Sequence, residues 1–118
     1  MRSWNLSEIE APDGTRDPVV LHSDEEGRAV MIRLGAGQAL GEHQVKEHAF
    51  VVVLEGHARL GAGNDAVEAG PGTLAFFEPD ERRVISSPDG ARLLMLLSPW
   101  PGKGHYRGGD QPAAASRD

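Results

Sequence analysis

Apolar residues along the chain fall into short stretches separated by turn-forming residues. The stretches are PVVLH (18–22), RAVMIRL (28–34), AFVVVLEG (49–56), HARLG (57–61), GTLAFFEP (72–79), RRVISS (82–87) and ARLLMLL (91–97). Between them lie Asp24-Glu25-Glu26-Gly27, Gly61-Ala62-Gly63-Asn64-Asp65 and Pro88-Asp89-Gly90, which supply positive φ or side-chain-capped bends. No stretch sustains a helical stripe, so the pattern predicts antiparallel strands throughout, at the spacing of a sandwich or barrel. Within AFVVVLEG, Ala49, Val51 and Val53 share one face and Phe50, Val52 and Leu54 the other. Both sets are apolar, which predicts cover on both faces, from a second layer or a second subunit. Residues 1 to about 20 are expected to add an edge strand to the same barrel or to a partner's.

A chain of 118 residues fits one domain with one modest core. The expected division is a barrel core over about 18–100 and a proline- and glycine-rich tail, 101–118, partly mobile, with Trp100 pinning its beginning. Twelve basic against eighteen acidic side chains give a formal charge of −6, and no local basic patch opposes it. That balance argues against nucleic acid and anionic membrane as partners. The absence of cysteine removes disulfides, thiolate metal ligands and a cysteine nucleophile, and points to a cytoplasmic protein. The start, MRSWNLSEIE, has no apolar stretch of signal-peptide length, and Leu93 to Leu97 is far too short to span a membrane. The glycines sit between strands, not between a strand and a helix, so neither a phosphate loop nor a nucleophile elbow is present.

The candidate chemistry lies in GEHQVKEHAFVVVLEG (41–56), where two histidines and two further acidic residues precede a β-branched run, and in AGPGTLAFFEPDERRVISS (69–87). These two blocks resemble those of the cupins, small jelly-roll barrels, over about residues 28–98. The first matches in its ending, VVVLEG; the second matches through Gly72, Phe77 and Pro79. The resemblance implies an all-β, cupin-like jelly-roll barrel, an antiparallel double-sheet sandwich, with a ligand or a divalent metal (Mn, Fe, Ni or Zn) in its lumen. Counted back from Gly56, the family's glutamate position falls on Ala49 and its second histidine on Val45, and its second-block histidine falls on Arg83. Only His43 matches a family ligand, so no metal is favoured.

A rearranged site remains as the alternative, with His43, Glu47 and His48 as its ligands. Ligands at i and i+2 on a strand share a face about 6.6 Å apart, whereas His43 and Glu47 would stand about 13 Å apart on an extended strand. They share an ion only if Gln44 to Lys46 folds back. His48 has the opposite parity to Ala49 and Val51 and should point away from the lumen unless a bulge intervenes. Arg83 admits two readings. Either it points inward, where its permanent charge replaces the metal's and suits a carboxylate, enolate or phenolate, or it is the solvent-facing member of the pair Arg82–Arg83. His43 is a general base or a structural residue bonded to a carbonyl. Glu42 and His57 are expected to face out, His22 has no visible partner, and His105 and Tyr106 either fold over the barrel mouth or belong to an exposed arm.

Three functions follow. The leading one is a metal-depleted cupin that binds or transforms a small organic ligand, an anion among the candidates, using His43, Val45, Glu47, Ala49, Phe77 and Arg83. No catalytic residue is assigned, and whether the protein is an enzyme stays open. The second is a metal-dependent dioxygenase or isomerase with the rearranged site. The third is a non-catalytic interaction module whose barrel is filled by Phe76 or Phe77, Val45, Val51 and Met95. A homodimer is expected in each case, because apolar strands on two faces need a cover.

Overall fold

The computed structural model describes residues 1–11, 14–43 and 46–101, and for residues 14–17 and 41–43 the backbone alone. Val45, with the tail residues His105 and Tyr106, lies outside the described residues. A 3-10 turn, Leu6–Glu8, precedes the strands β1 (Gly14–Asp24), β2 (Gly27–Leu34), β3 (Ala39–His43), β4 (His48–Gly56), β5 (Ala58–Ala62), β6 (Asp65–Ala69), β7 (Leu74–Phe77), β8 (Arg83–Ser86) and β9 (Ala91–Ser98). They form two antiparallel sheets, ordered β1-β2-β9-β4-β7 and β3-β8-β5-β6. This is a jelly-roll sandwich, the all-β architecture that the alternation predicts. No helix among the described residues is long and apolar enough to cross a membrane.

Period-two alternation builds the core. Val30, Ile32 and Leu34 of β2, Leu93, Met95 and Leu97 of β9, and Ala49, Val51 and Val53 of β4 point inward and meet Leu60 of β5 and Ile85 of β8 in one buried cluster. Each large aliphatic side chain there contributes about 1.5–3 kcal/mol of hydrophobic free energy as an upper bound. The space between the sheets has two unlike ends. At one, the carbonyl of His57 accepts from the Ser87 hydroxyl, which in turn accepts from Gly90 N at 2.8 Å. At the other lie the start of β4, the start of β8, the end of β9 and the β1–β2 turn, whose Glu26 carbonyl accepts from the Ser98 hydroxyl at 3.0 Å.

Several expectations need correction. β3 and β6 fall in stretches that the pattern left unassigned, and β1 runs from Gly14 to Asp24, well beyond residues 18–22. It is an edge strand of its own sheet, with irregular register between Gly14 and Val19 and between Val20 and His22, which is how it accommodates Pro18. His22 does have partners: its Nε2 lies 2.8 Å from Asp24 Oδ2 and its Nδ1 3.1 Å from Arg2 Nη1. The outer face of the five-stranded sheet is only half covered within one chain. Arg92, on that face, binds the carbonyls of Leu6 (2.8 Å), Ser7 (3.3 Å) and Ile9, and so holds the N-terminal segment against the sheet. Beyond it, Phe50, Leu74, Phe76 and Leu96 remain 39–61% exposed.

Candidate functional site

Arg83 opens β8, directly after the turn Glu78–Glu81, where Asp80 takes a left-handed φ of 66° that aspartate tolerates better than most residues. Its strand neighbours are His43 on β3 and Ala62 on β5. The side chain is 3% exposed and reaches across the interior: Nη2 lies 3.7 Å from Met95 Sδ, and the guanidinium carbon 5.7 Å from the Phe77 ring centroid. Such a cation over an aromatic ring is worth about 0.5–2 kcal/mol. Phe77 pairs with Ala49, so Arg83, Phe77 and Ala49 come together at this end.

Glu47 immediately precedes β4 and is fully buried, two residues ahead of Ala49. Its neighbour Lys46 ties the β3–β4 and β7–β8 connections together through Asp80, at 2.9 Å. The structure therefore places a carboxyl and a guanidinium, Glu47 and Arg83, in the interior at the same end of the sandwich. The backbone of His43 lies beside Arg83, while its side chain is outside the described residues.

His48 turns outward, as its parity requires. Its ring stacks on Phe76 at 5.7 Å and its Nδ1 lies 3.2 Å from the Ser98 carbonyl, so it cannot share an ion with the inward Glu47. No three His, Asp or Glu side chains among the described residues converge closely enough to hold a metal ion. Ala49 has no donor to offer, and the guanidinium of Arg83 repels a divalent cation. The described donors do not fit such an ion.

No family model matches the chain, and no curated protein matches it in sequence. Solved structures do match. An RmlC-like cupin from Desulfovibrio desulfuricans superimposes with a TM-score of 0.74 at 24% identity, over 84% of this chain and 97% of its own. A conserved protein with a double-stranded β-helix domain from Klebsiella pneumoniae gives 0.73 at 17% identity, over 92% and 99%. The chain has the cupin fold. A third cupin-fold neighbour, the DMSP lyase DddQ from Ruegeria pomeroyi, gives 0.60 at 21% identity over 64% of this chain, which spans 39% of the lyase.

Sequence reasoning missed one residue at the mouth of this barrel. Arg28 pairs with Leu97, which pairs with Ala49, and directly opposed residues share a face. Arg28 therefore belongs to the inward set Arg28, Val30, Ile32, Leu34, and the alternation of RAVMIRL carries that signal. Its guanidinium lies 4.4 Å from the ring centroid of Trp100, which packs on the core and whose amide bonds Glu25 O at 3.4 Å. A separate cleft of about 620 Å³ at the opposite end is lined by Glu8, Glu10, Glu55 and Asp89 with Arg33 and Arg92, and contains none of these residues.

Proposed function

We propose that this cupin binds a small organic anion in its lumen without a metal, with Arg83 as the anchoring cation. The observation that supports this most is the inward, buried guanidinium at the position where the resemblance expects a metal-binding histidine. A charge-assisted, two-pronged arginine contact favours carboxylates and other planar anions. Phe77 and Ala49 supply an apolar wall, and Glu47, buried at the same end, supplies a proton acceptor or donor for a reaction on the bound acid. A lyase among the fold neighbours is compatible with such a reaction, though at 21% identity it bears on the fold alone. The filled-barrel reading has support of its own, since Phe77, Val51 and Met95 are all buried in the core cluster.

One titration separates the two. Small carboxylates are added to the metal-free protein and the melting temperature is followed. A rise that disappears in Arg83→Gln supports the anion reading, and no rise with any acid favours the filled barrel. Elemental analysis of untagged protein adds a check: about one tightly held ion per chain would overturn the metal-free reading. Two copies of the chain are further proposed to associate through the exposed Phe50, Leu74, Phe76 and Leu96.

A further inference from the structure

Arg28 is half-buried on the inner face at the barrel mouth, yet among the described residues its guanidinium makes no hydrogen bond and no ion pair. Its Nε is wholly shielded from solvent with no acceptor. Burying part of an arginine without a counter-charge is costly, and a cation in that setting favours whatever anion reaches it. Trp100 covers one face of the guanidinium at 4.4 Å, which leaves its edge, the part that grips a carboxylate in two-pronged fashion, for another group.

Register fixes where Arg28 stands relative to Arg83. Val30 pairs with Met95, the residue whose sulfur touches Arg83. Arg28 lies two residues nearer the mouth on the same face, about 7 Å along the strand. One cation thus sits between the sheets, on the four-stranded sheet, and a second nearer the mouth, on the five-stranded sheet.

The geometry points to a ligand with two acidic groups, a short-chain dicarboxylate or an acid of similar reach, one end held by Arg83 and the other by Arg28. This inference rests on the lumen-anion reading and narrows it from acids in general to diacids. The test is calorimetric titration of the full chain with propionate, succinate and glutarate. The parent is expected to bind a diacid at least about tenfold more tightly than propionate, the scale of one added charge-assisted contact. Arg28→Gln should abolish the advantage of the diacids over propionate, and Arg28→Lys should keep part of that preference by retaining the charge without the fork. Arg83→Gln should weaken all three acids. If the parent binds propionate and the diacids equally, or if folded Arg28→Gln keeps the preference, the diacid inference is wrong and the anion reading survives. If none of the acids binds, both are overturned.

Discussion

At the scale of single residues, the end of the barrel away from Arg83 depends on Gly56 and Ser87. Gly56 has a φ of +78°, and a Cβ there would stand 2.0 Å from the carbonyl oxygen of Gly90 and 2.9 Å from Ala91 Cα. Backbone, not a flexible side chain, is in the way. Gly56→Ala is expected to lose about 3 kcal/mol of unfolding free energy in a urea titration, from strain and steric conflict together. Ser87→Ala should cost about 1–3 kcal/mol, because the Gly90 amide loses its acceptor and the His57 carbonyl its donor where Ser87 itself is buried. Asp24 gives a pH dependence. Its bond to His22 first, then the amides of Glu26 and Gly27, hold its carboxyl below the ordinary 3.8. A carboxyl whose folded value is depressed adds stability that is present above its unfolded value and is lost as pH falls through the folded one. Parent and Asp24→Asn should therefore differ in stability at neutral pH and converge as pH drops below about 4, read from urea midpoints across an acid series. At this scale the sequence was informative where it could be counted. The family resemblance, counted from Pro79, led to Arg83, and alternation turned His48 outward. Arg28 obeyed the same alternation, but a charged residue opening a strand reads as solvent-facing until its strand partner, Leu97, is known.

Elements were legible in proportion to what they bury. β2, β4 and β9 form the middle of their sheet, and their alternation shows plainly in the sequence. β6 runs along an edge with only Ala69 buried, and β3 is a five-residue edge strand containing Gly41, so neither carries an apolar repeat. Their place is set by partners: β6 folds back on β5 with Leu60 opposite Val67, and β3 takes its register from β8, far away in sequence, with Leu40 opposite Ile85. The N-terminal segment shows the same dependence. The expected edge strand over residues 1 to about 20 begins only at Gly14, and the segment before it is held instead by Arg92, which binds three of its carbonyls while also pairing with Glu55 at 2.9 Å. Replacing this anchor by Arg92→Met keeps the stem but removes the donors. Amides around residues 6–11 are then expected to lose protection in hydrogen exchange, with a global loss of about 2 kcal/mol and little change in β4 or β8. Equal loss of protection in all strands would mean that Arg92 supports the whole sandwich and not the segment.

For the molecule as a whole, a formal charge of −6 makes self-association unfavourable over most of the surface, within a screening length of about 8 Å at physiological salt. The outer face over β9, β4 and β7 is different. Here Phe50, Val52, Leu54, Leu74, Phe76, Leu94 and Leu96 form an apolar patch bordered by His48 and Arg92, and Phe50 and Phe76 pack together with ring centroids 4.9 Å apart. The N-terminal segment occupies the neighbouring part of the face and stops short of this patch, as the exposure of Phe50, Leu74, Phe76 and Leu96 shows. An apolar surface of this kind suits the proposed association of two copies, which would bring no charge against charge at its centre. A two-fold axis lying in the interface would set the aromatic pair of one chain against that of the other. The protein is therefore expected to sediment as a pair of 12.6 kDa chains, with a midpoint of unfolding that rises with concentration. Phe76→Glu places a carboxylate at the centre of the contact, facing its own copy, and should weaken association by roughly thirtyfold or more while the circular dichroism stays that of the parent. Val84→Glu, a comparable change at an exposed position on the outside of the other sheet, should leave the dimer intact. A parent that sediments as a monomer, or a Phe76→Glu variant that dimerises as tightly as the parent, would remove this face as the contact and leave its apolar character without a partner.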